Sequence, residues 1–184
     1  MRKVVAVIGD STASQGSKEY ELAFHVGKAL IDAGYRIQSG GLSGVMEASF
    51  SGAHSSENYV DGDTIAIVPS FDKSKANEFA DIVIPTGMDM MRNAIVANAD
   101  AVVAIGGGAG TLSEMAIAWS LFRLIIGFKN VEGWSSRLAD KPIDGRIRYD
   151  FQEDRVYGVE SVDEMIQILL DKITKYNRVH HGIR

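Results

Sequence analysis

The 184-residue sequence contains no cysteine and only three prolines. Without cysteine, the chain can form no disulfide, and it has neither a thiolate nucleophile nor a Cys-ligated metal site. Basic charge is also scarce, because 19 Lys and Arg residues face 24 Asp and Glu residues, which gives a formal net charge of −5. A mildly acidic domain lacks the basic surface that binds duplex nucleic acid or an anionic membrane. We therefore expect neither nucleic acid nor a membrane among its partners.

Long apolar runs are missing as well. The N-terminal run from Val4 to Ile8 has only five apolar residues before Gly9, which is too short for a signal-peptide core or a membrane span. The length fits one domain, so we expect a cytoplasmic protein with a single domain over residues 1–184. The four histidines show no ligand spacing, so we expect no metal site and no cofactor.

Short β-branched runs alternate with helical patterns along the chain. The predicted strands cover residues 4–8, 35–38, 64–68, 81–84, 101–105, 124–128 and 156–159. Apolar spacing predicts helices over 22–33, 43–53, 88–99, 111–122 and 162–173. The alternation predicts an α/β fold: a single-domain, Rossmann-like, doubly wound parallel sheet of about six or seven strands, with helices on both faces. Residues 129–154 fit neither pattern and are predicted to form an irregular excursion, and 178–184 a polar tail.

Glycine is abundant, and many of the 19 glycines follow predicted strands. In doubly wound sheets, ligands bind beyond the carboxyl ends of the strands. The densest cluster, Gly106 to Gly110, ends a buried strand and begins a helix. Glycine allows left-handed φ values and close backbone approach, and a helix start supplies unpaired amides. The cluster therefore predicts an anion site, most naturally for phosphate, although a tight turn without a ligand is the structural alternative.

Two common phosphate motifs do not fit this sequence. The absence of Gly-Lys-Ser/Thr excludes a P-loop NTPase. The loop after the first strand reads Gly9-Asp10-Ser11-Thr12 instead of GxGxxG, which argues against a nicotinamide-dependent dehydrogenase.

Glu114 and Arg92 each have two interpretations. The segment Thr111 to Glu114 matches a capping box, in which the carboxylate only completes the helix start. Alternatively, Glu114 faces the crevice, where it would stabilise an oxocarbenium-like centre or orient a water. Arg92 follows the fourth predicted strand, and it is either a solvated side chain or one that faces an anion at the same sheet edge.

The glycine cluster and three further segments resemble one family. Gly106 to Glu114 resembles the PGGxGTxxE signature of the "lonely guy" cytokinin-activating phosphoribohydrolases, long labelled lysine-decarboxylase-like proteins. Met88 to Arg92 resembles the segment that holds the family's arginine, and Ser39 to Met46 resembles its GGGxxGLM motif. Gly9 and Ser11 resemble the first-strand loop, so the matches run in order from about residue 4 to 128.

This resemblance implies a Rossmann-like homodimer or higher homo-oligomer whose partner is a small phosphorylated nucleotide. The implied reaction cleaves the N-glycosidic bond of a nucleoside 5′-monophosphate and releases the base and ribose 5-phosphate. It implies Arg92 and Glu114 as the catalytic pair. The nucleotide-binding residues that it implies are Gly9, Ser11, Gly40, Gly41, Gly44, Met88, Gly107, Gly108, Gly110 and Thr111.

Three positions depart from the family pattern and indicate a divergent branch without plant-type specificity. Gly106 replaces the leading proline, Asn93 replaces the lysine after the arginine, and Glu47 replaces a glycine. The fold also resembles molybdenum-cofactor carrier proteins, which bind a phosphorylated pterin without chemistry, so a carrier is the second hypothesis. A nucleotide-sensing signalling domain is the third. No lysine has a recognisable pyridoxal phosphate context, which argues against a lysine decarboxylase.

Overall fold

The computed structural model describes residues 1–151 and 153–182. Its strands are β1 (Val4–Gly9), β2 (Arg36–Ser39), β3 (Thr64–Val68), β4 (Ile82–Pro85), β5 (Ala101–Ile105), β6 (Leu124–Phe128) and β7 (Tyr157–Val159). Its α-helices are α1 (Lys18–Asp32), α2 (Val45–His54), α3 (Asn93–Ala97), α4 (Ala109–Ser120), α5 (Trp134–Leu138) and α6 (Val162–Lys172). Short 3-10 helices cover Lys73–Lys75 and Asp89–Arg92.

The seven strands form one parallel sheet in the order β4-β3-β2-β1-β5-β6-β7. The chain builds outward from β1 to β4 and then returns to place β5 on the other side of β1. The strand order therefore reverses between β1 and β5, where such sheets bind ligands. This topology confirms the predicted doubly wound α/β fold.

Both faces of the sheet are covered because its strands are apolar on both sides. Alternate side chains of β1, such as Val5 and Val7, pack with α1, α2 and α6. Their neighbours, Ala6 and Ile8, pack on the opposite face with α3, α4 and α5. Continuous β-branched runs are typical of such doubly covered strands.

Two segments differ from the sequence prediction. The single helix predicted over residues 88–99 is wrong, because a 3-10 helix and the short α3 occupy it. The amide of Asp89 donates to the Pro69 carbonyl, and Asp89 has a φ of 49°, so regular helix geometry begins only at Asn93. The segment predicted to be an irregular excursion, 129–154, contains α5, whose first residue is held by the β5–α4 loop.

Within the described ranges, no helix combines the length and apolar character that a membrane crossing requires. The same part of the chain holds no cluster of three or more His, Asp or Glu side chains arranged to bind a metal ion.

Candidate functional site

A cavity of about 360 Å³ opens at the carboxyl ends of the strands, where the strand order reverses. This volume falls within the usual range for small-molecule sites. It is lined by Ile8, Gly9, Asp10, Ser11, Gly40, Leu42, Met46, Arg92, Asn93, Gly108, Ala109, Gly110, Thr111 and Glu114.

The loop after β1 forms one side of the cavity. The Asp10 carboxylate accepts hydrogen bonds from both the amide and the hydroxyl of Thr12, at 2.7 Å each. The Asp10 carbonyl accepts from the Val45 amide, and the Ser43 hydroxyl donates to the Ser11 carbonyl. These bonds fix the loop against the start of α2.

The loop between β5 and α4 is held from behind by α5. The amides of Trp134 and Ser135 donate to the carbonyls of Gly107 and Gly106, at 3.0 and 3.1 Å. Gly107 has a φ of 87°, and a Cβ there would collide with the Thr111 side chain, so the turn requires glycine. Gly107 shapes the turn, while Gly108 to Thr111 line the cavity.

The first turn of α4 faces the cavity. Helix geometry leaves its leading amides without intrahelical acceptors and places the positive end of the helix dipole there. A Cβ added to Gly108 or Gly110 would meet no atom within 4 Å apart from the helix itself, so the backbone is accessible. The Thr111 hydroxyl donates to the Gly9 carbonyl at 3.2 Å and ties the turn to β1. This turn is suited to an anion such as phosphate.

Arg92 and Glu114 form a buried ion pair in the cavity wall. The Nη1 atom of Arg92 lies 2.9 Å from Oε1 of Glu114, and the two residues are only 8% and 7% exposed. A Cβ on Gly40 would collide with the guanidinium, so glycine at that position makes room for Arg92. Arg92 is therefore not a solvated side chain.

Burial raises the pKa of Glu114 to about 7, although the charge and hydrogen bond of Arg92 oppose the shift. Desolvation disfavours a carboxylate more than one arginine contact restores it. A carboxyl group with this pKa can both accept and release a proton near neutral pH, as a general base or acid must.

The capping-box interpretation of Glu114 is wrong. The N-cap of α4 is Gly108, which has no side chain to cap it, and the Glu114 carboxylate accepts instead from Arg92. The same sequence pattern is realised at α6, where the Ser161 hydroxyl accepts from the Glu164 amide.

Asn93 connects the ion pair to α4. Its Oδ1 accepts from Arg92 Nη1 at 2.8 Å, and its Nδ2 donates to the Ser113 hydroxyl at 2.8 Å. The Ser113 hydroxyl in turn donates to the Gly110 carbonyl at 2.7 Å. A continuous chain of hydrogen bonds therefore joins Glu114 to the first turn of its own helix.

The structure brings most of the predicted site residues into the cavity wall, namely Gly9, Ser11, Gly40, Arg92, Gly108, Gly110, Thr111 and Glu114. Four predicted residues lie outside the lining. Gly107 and Gly44 shape loops behind it, Gly41 packs against Ala66 of β3, and Met88 is an exposed residue before the 3-10 helix.

Sequence reasoning left out several lining residues, chiefly Leu42, Met46 and Asn93. Met46 lies in the second glycine motif and Asn93 follows Arg92, so their positions carried a signal. Leu42 lies in the same motif, but whether its side chain reaches the cavity depends on how the β2–α2 loop turns.

The cavity combines one cation with two carboxylates, those of Asp10 and Glu114. Within the described residues, the Nε atom of Arg92 is buried without a hydrogen-bond partner. The amides of the α4 turn are suited to an anion, and Arg92 keeps donor capacity beyond its contacts with Glu114 and Asn93.

The fold is similar to those of several solved proteins. The X-ray structure of TM1055 has a TM-score of 0.77 and 29% identity, covering 91% of this chain and 98% of that one. The molybdenum cofactor binding protein of Rippkaea orientalis has a TM-score of 0.76 and 27% identity, covering 94% and 98%. The molybdenum cofactor carrier protein of Chlamydomonas reinhardtii shares the fold, with a TM-score of 0.72, 23% identity and coverage of 94% and 100%.

Sequence comparison gives a consistent result. An uncharacterized protein of Archaeoglobus fulgidus is 42% identical over 115 residues, which cover 62% of this chain and 72% of that protein. The profile of the SLOG cluster4 family matches residues 2–165, and the chain belongs to that family.

Proposed function

We propose that this SLOG cluster4 protein hydrolyses the N-glycosidic bond of a nucleoside 5′-monophosphate and releases the base and ribose 5-phosphate. One observation carries the proposal: the buried Glu114 carboxyl, paired with Arg92, lines the same cavity as the exposed first turn of α4. The turn suits the 5′-phosphate, and the carboxyl group suits the charge that develops on the sugar.

The reaction balances with water as the only co-reactant. The bond between C1′ and the base nitrogen breaks, and the water oxygen bonds to C1′. The Glu114 carboxylate stabilises the oxocarbenium-like transition state and accepts a proton from the water, which it then returns to solvent, while the departing base takes up one proton from solvent. Arg92 fixes the orientation of the carboxylate through the 2.9 Å contact. The pKa of about 7 keeps a large ionised fraction at neutral pH.

The test is incubation with AMP and modified adenosine monophosphates, with free base and ribose 5-phosphate quantified by chromatography. Glu114→Gln removes the ionisable group while keeping its size, and we expect about 10²–10³-fold slower base release with AMP affinity nearly intact. Glu57→Gln is the matched control, because Glu57 is exposed and precedes β3. It therefore lies at the amino ends of the strands, whereas the cavity lies at their carboxyl ends. The control variant should release base at the wild-type rate.

One outcome would contradict the role of Glu114, and another would contradict hydrolysis itself. Equal rates for the wild type and Glu114→Gln would remove Glu114 from the chemistry. Tight AMP binding with no base released at high enzyme concentration would exclude the reaction itself.

A carrier for a phosphorylated pterin is the second candidate. The similarity to the Rippkaea orientalis molybdenum cofactor binding protein favours it, since that likeness extends over 94% of this chain. The α4 turn would hold the pterin phosphate just as it would hold a nucleotide phosphate. Thermal protection by molybdenum cofactor but not by AMP, in the wild type and in Glu114→Gln alike, would favour the carrier. Protection by AMP alone would exclude it.

We also propose that the chain forms a homodimer through an uncovered apolar face. The edge strand β4 exposes Ile82 and Ile84, and the 3-10 helix that follows it along the chain exposes Met90 and Met91. Clusters of exposed apolar side chains mark interaction sites when they are large. A second copy is the occupant that the family resemblance implies.

Sedimentation analysis at micromolar concentration tests this assembly. Ile84→Glu should convert the dimer to a monomer, whereas Leu170→Glu, at an exposed apolar position on α6, should not. A wild-type monomer, or equal loss of the dimer in both variants, would contradict it.

A further inference from the structure

The hydrogen-bond chain around Arg92 is directional. Arg92 is a pure donor, so a second partner of its Nη1 atom, beside Glu114, must be an acceptor. Ser113 uses its only proton on the Gly110 carbonyl, so it must receive a hydrogen bond from its other neighbour. Asn93 lies between them and meets both demands, because its amide has an acceptor oxygen and a donor nitrogen.

We propose that Asn93 is a positioning residue that holds Arg92 against Glu114 and couples this pair to the anion-binding first turn of α4. The proposal rests on the proposed hydrolysis for its catalytic consequence. The positioning of Arg92 by Asn93 can be tested in ligand-free protein, whether or not the protein hydrolyses a nucleotide.

The local backbone explains why Arg92 needs such a partner. Arg92 ends a four-residue 3-10 helix, and α3, which follows it, has only five residues. Of the guanidinium nitrogens, Nη1 makes the contacts to Asn93 and Glu114, and Nε has no partner among the described residues. The orientation of the group therefore depends on one atom, which Asn93 shares with Glu114.

Neither a lysine nor an aspartate can make both of the hydrogen bonds that Asn93 makes here. A lysine there would present only donors to Arg92 and add a second positive charge. An aspartate would accept from Arg92 but could not donate to Ser113, and it would compete with Glu114 for the same guanidinium. Lys and Asp variants therefore break the chain at different links.

The experiment compares Asn93→Ala, Asn93→Asp, Ser113→Ala and Ser113→Thr with the wild type. The first readout is kcat and KM for AMP. The second is the titration of Glu114 in ligand-free protein, followed by carbon-13 NMR of its side-chain carboxyl. A residue that only supports the fold would lower the melting temperature without moving this titration.

For Asn93→Ala we expect kcat to fall about 10-fold or more with KM within about twofold, because the carboxylate loses its fixed orientation. The pKa of Glu114 should rise by about one unit, because the arginine is no longer held at contact distance. Asn93→Asp should raise it too, by drawing Arg92 away. Ser113→Ala should act in the same direction but less, and Ser113→Thr, which keeps the hydroxyl, should match the wild type.

The proposal is overturned if Asn93→Ala and Asn93→Asp leave the Glu114 titration at its wild-type position, whatever happens to the melting temperature. It is also overturned if Ser113→Thr behaves like Ser113→Ala. A wild-type protein that releases no base would refute the proposed hydrolysis alone, because the NMR titration still decides the role of Asn93.

Discussion

Among the residues that the structure describes, two arginine–carboxylate pairs are buried, and they differ in how many of their donors and acceptors are hydrogen-bonded. Arg148, only 2% exposed, makes a two-pronged contact with Asp154, at 2.9 and 2.6 Å. It also donates to the Trp119 carbonyl and stacks 3.5 Å above the ring of the same residue. Arg92 makes a single contact with Glu114 and faces a cavity.

The carboxylates differ in the same way. Asp154 also accepts from the Tyr176 hydroxyl, so both of its oxygens are engaged in a packed aromatic cluster. Glu114 has one arginine contact, and burial raises its pKa to about 7. A buried pair whose donors and acceptors are all hydrogen-bonded stabilises the fold. A pair with unused donors or acceptors beside a cavity keeps them available for a ligand.

Removing Arg148 should give the largest effect on stability. Arg148→Ala leaves the Asp154 charge buried and takes away the cation above Trp119, so we expect a loss of about 3–5 kcal/mol in the free energy of unfolding. Arg92→Ala should cost less than half as much, because Glu114 can take up a proton beside a cavity. Urea denaturation at pH 7 measures both. Equal losses would show that the two pairs have the same structural role.

The sequence was sufficient to predict the layered fold. Strands such as Val4 to Ile8 are apolar on both faces, and this pattern depends only on local residue order. Helix boundaries were predicted less well where tertiary contacts decide them. The Asp89 amide donates to the carbonyl of Pro69, the residue that follows β3, and no periodicity reveals this contact between residues 20 positions apart.

The candidate site shows the same difference between features set by local sequence and features set by contacts between distant residues. The glycine cluster indicated the α4 turn because its composition is extreme for a strand–helix junction. The contact between Arg92 and Glu114 joins residues 22 positions apart, and the sequence left capping and solvation as open alternatives. The pair at Arg148 was not predicted at all, because the segment around it shows no periodic pattern.

The pH dependence of stability would sharpen the contrast between the pairs. Because the folded-state pKa of Glu114 is raised from 4.5 to about 7, its stabilising contribution is full below pH 4.5 and is lost as the pH rises through 7. The wild type should therefore lose about 3 kcal/mol relative to Glu114→Gln between pH 4.5 and 7.5. Urea denaturation of both proteins across this range tests it. A constant difference would mean that Glu114 titrates normally in the folded state.

Gly110→Ala should give the smallest effect on stability, and its direction tests whether the cavity end of α4 is arranged for a ligand. Alanine favours a helix over glycine, and its methyl group would meet no neighbour outside α4, so we expect a gain of about 0.5 kcal/mol. The same methyl group would enter the proposed phosphate site and weaken AMP binding. Gly145→Ala is the control, because Gly145 also has open space but does not line the cavity.

Calorimetric titration with AMP measures the affinity of Gly110→Ala, and urea denaturation measures its free energy of unfolding. Greater stability with weaker AMP binding in Gly110→Ala alone would mean that glycine is kept there at the expense of helix stability. Unchanged AMP affinity would place the phosphate elsewhere in the cavity. The difference between the two buried ion pairs would then depend on the Arg92–Glu114 pair alone, without a contribution from the first turn of α4.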